Sequence, residues 1–146
     1  EEFGVSGTVI PDLPYEMSQK YEPVFKKYNK SNITFVAPTT PKDRIKTLVE
    51  NSSKFIYMVA YAGITGSGRE EDLSQIIENI RYYSQTPLYF GFGIDEKTCK
   101  EKSKNLDGVI VGSAFVKHLL DDSLNNNEKI KKISSIAKEI KQKINE

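Results

Sequence analysis

The chain has 146 residues, of which 38% are hydrophobic and 28% charged, and its net charge at neutral pH is +1. This length and composition are typical of one globular domain; the small charge argues against nucleic acid as a main partner, and no apolar run approaches the roughly 20 residues that span a membrane. The single cysteine, Cys99, excludes an internal disulfide and fits the reducing cytoplasm.

Five apolar segments rich in β-branched and aromatic residues predict β-strands. They are near-continuous rather than alternating, which is typical of strands buried on both faces of a parallel sheet. In chain order they are residues 5–10, 33–37, 55–60, 88–90 and 106–111.

Helical patterns separate these strands, because apolar residues recur there every three or four positions. The stripes are Tyr21, Phe25 and Tyr28; Ile45, Leu48 and Val49; Leu73, Ile76, Ile77 and Ile80; and Ala114, Phe115, Leu119 and Leu120. Thr40 is predicted to cap the second helix, and Asp95 to cap a weaker helix after the fourth strand. A last amphipathic helix carries isoleucines on one face and lysines on the other, which predicts a solvated basic face.

Strand and helix alternate five times, which predicts a parallel sheet with right-handed crossovers. Two architectures remain open on this pattern. The strands could form an open, flavodoxin-like sheet, which the length favours because a complete (β/α)₈ barrel needs about 250 residues. They could instead be the later part of such a barrel, which residues 1–4 favour because they read as a helix end leading directly into a strand.

Two glycine-bearing turns follow the fourth and fifth predicted strands. Gly91-Phe92-Gly93 and Gly112-Ser113 each stand between a strand and a helix. Two such turns can direct several backbone N–H groups at one anion, and glycine leaves room for phosphate oxygens. The loops after the last two strands of barrels often bind phosphate in this way. The pair therefore predicts a phosphate site, the alternative being glycines that only make tight turns.

A third glycine-rich segment, residues 63–68, follows the third predicted strand. It predicts either a mobile loop that closes over a ligand or a plain flexible connection. The single histidine and single cysteine argue against a metal site, and no Walker or dinucleotide glycine pattern is present. Asp12 follows the first strand, either at the catalytic edge of a barrel or as the cap of the next helix.

At these residues the sequence resembles the α subunit of tryptophan synthase. Four motifs occur in the family's order and near its spacing: Asp12-Leu13-Pro14, Gly63-Ile64-Thr65-Gly66, Gly91-Phe92-Gly93-Ile94 and Gly112-Ser113-Ala114-Phe115-Val116-Lys117. The resemblance covers almost the whole chain and selects the barrel. It implies that residues 1–146 form a single partial (β/α)₈ barrel, about strands 4–8 with their helices, and that the N-terminal three βα units lie upstream.

Members of that family cleave indole-3-glycerol phosphate to indole and glyceraldehyde 3-phosphate, a carbon–carbon lyase step of tryptophan biosynthesis. The resemblance implies three groups of residues: Gly66, Gly93, Gly112 and Ser113 at the substrate phosphate; Tyr57, Phe92, Val9 and Val36 around the indole; and Gly63, Thr65 and Gly66 on a mobile loop. It implies no cofactor or metal on this chain. Pyridoxal phosphate is expected on a partner β subunit, within a cytoplasmic heterotetramer.

The resemblance also implies that no catalytic residue lies in this segment, because the family's glutamate and aspartate are expected upstream. Tyr61 departs from the family, in which many members carry a polar or basic residue beside the mobile loop, so coupling to the β subunit can differ. Two alternatives remain. One is another phosphate-binding barrel enzyme, such as an indole-glycerol-phosphate synthase or a pentose-phosphate epimerase; the other is a non-catalytic subunit that activates a partner.

Overall fold

The computed structural model describes residues 4–59 and 73–146 of the chain. The strands are β1 (Gly7–Thr8), β2 (Ser31–Asn32), β3 (Thr34–Val36), β4 (Ile56–Met58), β5 (Leu88–Phe90) and β6 (Gly108–Val109). The helices are α1 (Tyr15–Ser18), α2 (Glu22–Lys27), α3 (Lys42–Val49), α4 (Ser74–Tyr83), α5 (Cys99–Lys102), α6 (Ser113–Leu119) and α7 (Asn126–Lys143), with a 3₁₀ turn at Gln19–Tyr21. No helix among the described residues has the length and apolarity to cross a membrane.

All strand pairs are parallel, and their spatial order follows the chain. β1 pairs with β2, while β3, β4, β5 and β6 form one sheet in that order. Ile33 joins β2 to β3, and its N–H donates to the carbonyl of Thr8 at 2.9 Å. One extended segment therefore pairs with β1 along its first half and with β4 along its second. A doubly wound open sheet reverses its strand order at a switch point. The sequential order seen here is that of a (β/α)₈ barrel, so the flavodoxin-like alternative is excluded.

The hydrophobic core lies between the sheet and its covering helices. Alternation along the strands directs one set of side chains at the helices: Val36, Ile56, Met58, Leu88 and Phe90. The predicted stripe of α3 is buried against them, as are Ile76, Ile77 and Ile80 of α4. The opposite face of the sheet carries Phe35, Tyr57 and Tyr89, which are half-buried.

The structure differs from the predicted elements mainly at their ends. The first strand is Gly7–Thr8 rather than residues 5–10, since Val5, Val9 and Ile10 are exposed around its short ladder. The segment 33–37 is extended by Ser31–Asn32, which hydrophobicity could not indicate. Thr40 caps no helix; its hydroxyl instead accepts from the N–H of Ala37 at 3.0 Å, and α3 begins after Pro41.

The two ends of the sheet are covered less well than its middle. α3 and α4 each bury three residues, whereas α1 and α2 bury none. Large exposed hydrophobic side chains on or beside the first two and the last two helices include Met17, Tyr21, Val24, Tyr28, Val116, Leu119, Leu120 and Ile130. Helices of a barrel pack against both neighbours, so apolar surface at both ends is expected of a barrel segment.

Candidate functional site

The two glycine turns lie side by side at the carboxyl edge of the sheet. β5 and β6 are paired with Phe90 opposite Val109, and the turns follow directly. Among the hydrogen bonds of residues 4–59 and 73–146, none is donated by the N–H groups of Gly93, Ile94, Gly112 or Ser113. These amide groups remain available at one sheet edge. Such groups are the usual partners of a bound anion.

Gly93 and Gly112 occupy their turns for different physical reasons. Gly93 has a φ of +56°, a left-handed conformation that a side chain would strain. Gly112 has a φ of −117°, and a Cβ built on it meets nothing within 4 Å. The positive φ therefore favours glycine at position 93, whereas the φ at position 112 gives no such preference. At Gly112 the absence of a side chain leaves open space in front of α6.

The first turn is held from its helix side by Lys102 and Thr98. The Lys102 ammonium donates to the carbonyls of Phe92 at 3.2 Å and of Gly93 at 3.0 Å, and the Thr98 hydroxyl lies 2.9 Å from the Gly93 carbonyl. Asp95 fixes Thr98 in place, because its carboxylate accepts from the N–H groups of Thr98 and Lys97, each at 2.9 Å. The Thr98 N–H, followed by that of Lys97 and the Thr98 hydroxyl, holds the pKa of Asp95 below its usual range.

An aromatic surface adjoins the first glycine turn on the face of the sheet opposite the covering helices. The rings of Phe35 and Tyr57 stack with centroids 5.1 Å apart. Tyr57 also lies against the backbone of Gly91, since a Cβ built there would stand 2.5 Å from its hydroxyl oxygen and from ring atom Cε2. Burial raises the pKa of Tyr57, so its phenol is neutral near pH 7. The predicted indole wall and the predicted phosphate turn are thus in direct contact.

The structure brings some of the predicted site residues together and separates others. Phe92 is 43% exposed in the first turn, beside Gly93, and Val9 is 51% exposed at the carboxyl end of β1. Val36 differs from the prediction: it is 1% exposed and packs toward the helices, because it alternates with Phe35 along β3. Gly63, Thr65 and Gly66, together with Tyr61, lie outside the described residues.

Asp12 does not cap the helix that follows it. The residue is exposed in a turn after β1, and α1 begins at Tyr15 behind Pro14 with no side-chain cap. Within residues 4–59 and 73–146 no three His, Cys, Asp or Glu side chains gather as metal ligands.

The sequence reasoning overlooked three residues of this site. Phe35 pairs in register with Tyr57 and shares its face, which the sequence does not show because Phe35 and Val36 are adjacent and both apolar. Lys102 stands 9 residues beyond Gly93, at the end of a helix of only four residues, and Thr98 is the residue just before that helix. No periodicity indicates that their polar groups fold back onto the turn.

Comparisons with known proteins agree with this geometry. A family model described as "Tryptophan synthase alpha chain" matches residues 1–145. The tryptophan synthase alpha chain of Wolinella succinogenes is 54% identical over 97% of this chain, and that of Methanocaldococcus jannaschii is 40% identical over 90%. The solved tryptophan synthase subunit alpha from Campylobacter jejuni is 34% identical and superposes with a TM-score of 0.82 over 92% of this chain and 55% of its own. The chain spans about half the length of these curated relatives, 56% and 47%.

Proposed function

The chain belongs to the tryptophan synthase alpha chain family, and we propose that it supplies the substrate-phosphate site and part of the indole pocket of a carbon–carbon lyase. The reaction is the cleavage of indole-3-glycerol phosphate to indole and glyceraldehyde 3-phosphate in tryptophan biosynthesis. The observation that carries the proposal is the pair of adjacent turns beside the aromatic surface of Tyr57, whose amide groups at Gly93, Ile94, Gly112 and Ser113 donate no hydrogen bond within the described part of the chain.

The phosphate is held, in this proposal, by Gly93, Gly112 and Ser113. The amide N–H groups of both turns donate to its oxygens, and the exposed Ser113 can add its hydroxyl. Hydrogen bonds to charged groups each contribute about 1.5–3 kcal/mol. The site therefore anchors the end of the substrate that does not react. Gly66 and Thr65, on the loop outside the described residues, are proposed to close over the same phosphate.

The indole is proposed to lie against Tyr57 and Phe92, with Val9 at the rim. Phe35 stiffens this wall, because stacking on Phe35 restricts the Tyr57 ring. A flat aromatic ligand contacts such a surface by offset stacking, worth about 0.5–1.5 kcal/mol beyond the area that it buries. Val36 has no part in this pocket because it faces the helices.

Bond cleavage needs groups that move protons at the indole ring and at the glycerol hydroxyl. We assign these roles to no carboxylate of this chain. A glutamate and an aspartate upstream of residue 1 are proposed to supply them, so that this segment positions the substrate for groups carried elsewhere. The chain itself is proposed to need no cofactor. Indole then passes to a β subunit that holds pyridoxal phosphate, in a cytoplasmic heterotetramer.

The proposal is tested by assaying free indole released from indole-3-glycerol phosphate by the complete protein, with and without a β subunit. Gly112→Ala is the informative variant, since the added methyl group enters open space in the folded chain. Gly112 is the N-cap of α6, where alanine is less favourable than glycine, so we expect a stability loss of about 0.5–1 kcal/mol. The same methyl group would obstruct the phosphate, so kcat/KM should fall at least about tenfold, as for the loss of one charged hydrogen bond.

Indole serves as the matched control ligand because it has no phosphate. Its dissociation constant should be the same for the parent protein and for Gly112→Ala. Absence of indole release by the complete protein in both assays would refute the lyase function. An unchanged kcat/KM in Gly112→Ala would refute the phosphate site at this turn.

A further inference from the structure

Lys102 contacts the first glycine turn through its charged side chain. Its ammonium lies on the helix side of the turn and donates to two successive carbonyls, those of Phe92 and Gly93. A Cβ built on Gly93 would stand 3.1 Å from the same nitrogen. We propose that Lys102 is a positioning residue, which orients the Gly93 turn so that its amide groups face the substrate phosphate.

Peptide geometry connects these contacts to the opposite side of the turn. In a trans peptide the C=O and the following N–H point in opposite directions. The Phe92 carbonyl points at Lys102, so the N–H of Gly93 points away from it. The Gly93 carbonyl points at Lys102 and Thr98, so the N–H of Ile94 also points away. Both N–H groups are among those that donate no hydrogen bond within the described residues.

The positive charge of Lys102 adds to this orientation. A cationic donor makes a stronger hydrogen bond to a carbonyl than a neutral one, and chains of hydrogen bonds polarise one another. The peptide groups between Lys102 and the anion therefore become better donors on their far side. Thr98 cannot replace this effect, because it is neutral and its single hydroxyl proton is shared between the Gly93 carbonyl and the Asp95 carboxylate.

The role of Lys102 rests on the proposed phosphate site and is tested in the complete protein with inorganic phosphate as the probe. Titration calorimetry would compare the parent with Lys102→Met, Lys102→Arg and the control Lys104→Met. Lys104 is an exposed residue just beyond α5, so its replacement changes the net charge equally. We expect Lys102→Met to weaken phosphate binding about tenfold, which equals 1.4 kcal/mol. Lys104→Met should stay within about twofold of the parent. Lys102→Arg should weaken binding less than Lys102→Met, because it keeps the positive charge although its planar guanidinium donates in a different geometry.

Two further readouts separate positioning from general stability. In an NMR spectrum of the unliganded protein, the amide resonances of Gly93 and Ile94 should shift in Lys102→Met and return toward the parent positions in Lys102→Arg. In the indole-release assay, Lys102→Met should raise KM about tenfold with kcat changed less than about threefold.

The outcomes distinguish this role from the proposed function. If the parent protein binds no phosphate, the phosphate site itself is refuted, and the role of Lys102 with it. If the parent binds phosphate but Lys102→Met and Lys104→Met bind it equally well, only the role of Lys102 is refuted. If Lys102→Met does not fold, Lys102→Gln gives the same test, since it removes the positive charge and shortens the side chain that reaches the Phe92 and Gly93 carbonyls. Parent-like phosphate affinity in Lys102→Gln would also refute the role.

Discussion

Replacing Gly91 by alanine tests whether the first glycine turn packs directly on the aromatic surface formed by Phe35 and Tyr57. The glycine has no positive φ, so the substitution brings no backbone strain. Its cost arises from the new methyl group, which would stand 2.5 Å from the Tyr57 hydroxyl oxygen and Cε2 and 2.8 Å from Cζ. These distances are about 1 Å short of ordinary van der Waals contact.

The magnitude follows from how the ring can respond. Overpacking of this kind costs about 1–3 kcal/mol when neighbours shift slightly. If the Tyr57 ring instead swings away, it leaves its stack on Phe35, which forfeits about 0.5–1.5 kcal/mol. The two responses together bound the expected loss in the free energy of unfolding at about 1–2 kcal/mol.

A double-mutant cycle with Tyr57→Ala isolates this contact. Urea unfolding of the complete protein would give the cost of Gly91→Ala in the parent and in the Tyr57→Ala background, where we expect it to fall below about 0.5 kcal/mol. Tyr57→Phe should relieve little of the cost, because Cε2 remains in place. Gly112→Ala is the control for the glycine-to-alanine change. Equal costs of Gly91→Ala in both backgrounds would contradict the packing described here.

Two further predictions concern the hydrogen bonds of Asp107 at the start of β5 and the capping box at the start of α7. The Asp107 carboxylate accepts hydrogen bonds from the Leu88 N–H at 2.7 Å and from the Arg81 guanidinium at 2.6 Å. Burial is the largest single influence on the pKa of Asp107 and raises it, but the two donors and the Arg81 charge together outweigh burial, so the pKa is lowered. A carboxylate whose pKa is lowered in the folded state stabilises the protein at pH values above its unfolded pKa of about 3.9. This stabilisation is lost as the pH falls through the folded pKa. Asp107→Asn should therefore cost about 1 kcal/mol at pH 7, and as pH falls below about 4 it should lose less stability than the parent, measured by thermal melting. Parallel pH profiles would contradict this. Asn125 and Glu128 form a capping box at α7, so Asn125→Ala should cost about 1 kcal/mol, and Asn125→Ser much less, in the same assay.

The alternation of strands and helices was predictable because burial on both faces leaves a continuous apolar signal. β5 was predicted at its observed bounds, and the buried stripe of α3 was confirmed residue by residue. The ends of β1 were predicted too long, because Val5, Val9 and Ile10 are apolar yet exposed. Hydrophobicity alone cannot distinguish a residue buried under a helix from one that lies at an exposed end of the sheet.

The face on which a site residue lies depends on register, which neighbouring strands fix. Val36 and Phe35 are adjacent and both apolar, so the motif alone could not say which of them shares a surface with Tyr57. The register of β3 on β4 decides it, because Phe35 pairs with Tyr57 and Val36 with Met58. A shift of one residue would exchange the two faces.

The two turns contain glycine at positions 91, 93 and 112 for three different physical reasons. Gly91 makes room for the Tyr57 ring, and Gly93 adopts a φ of +56°. Gly112 satisfies neither need, because its φ is ordinary and a Cβ there would touch nothing within 4 Å. The first two glycines are therefore explained by the folded chain itself. We propose that the third leaves room for the substrate phosphate, which makes Gly112 the residue whose substitution best separates substrate binding from folding.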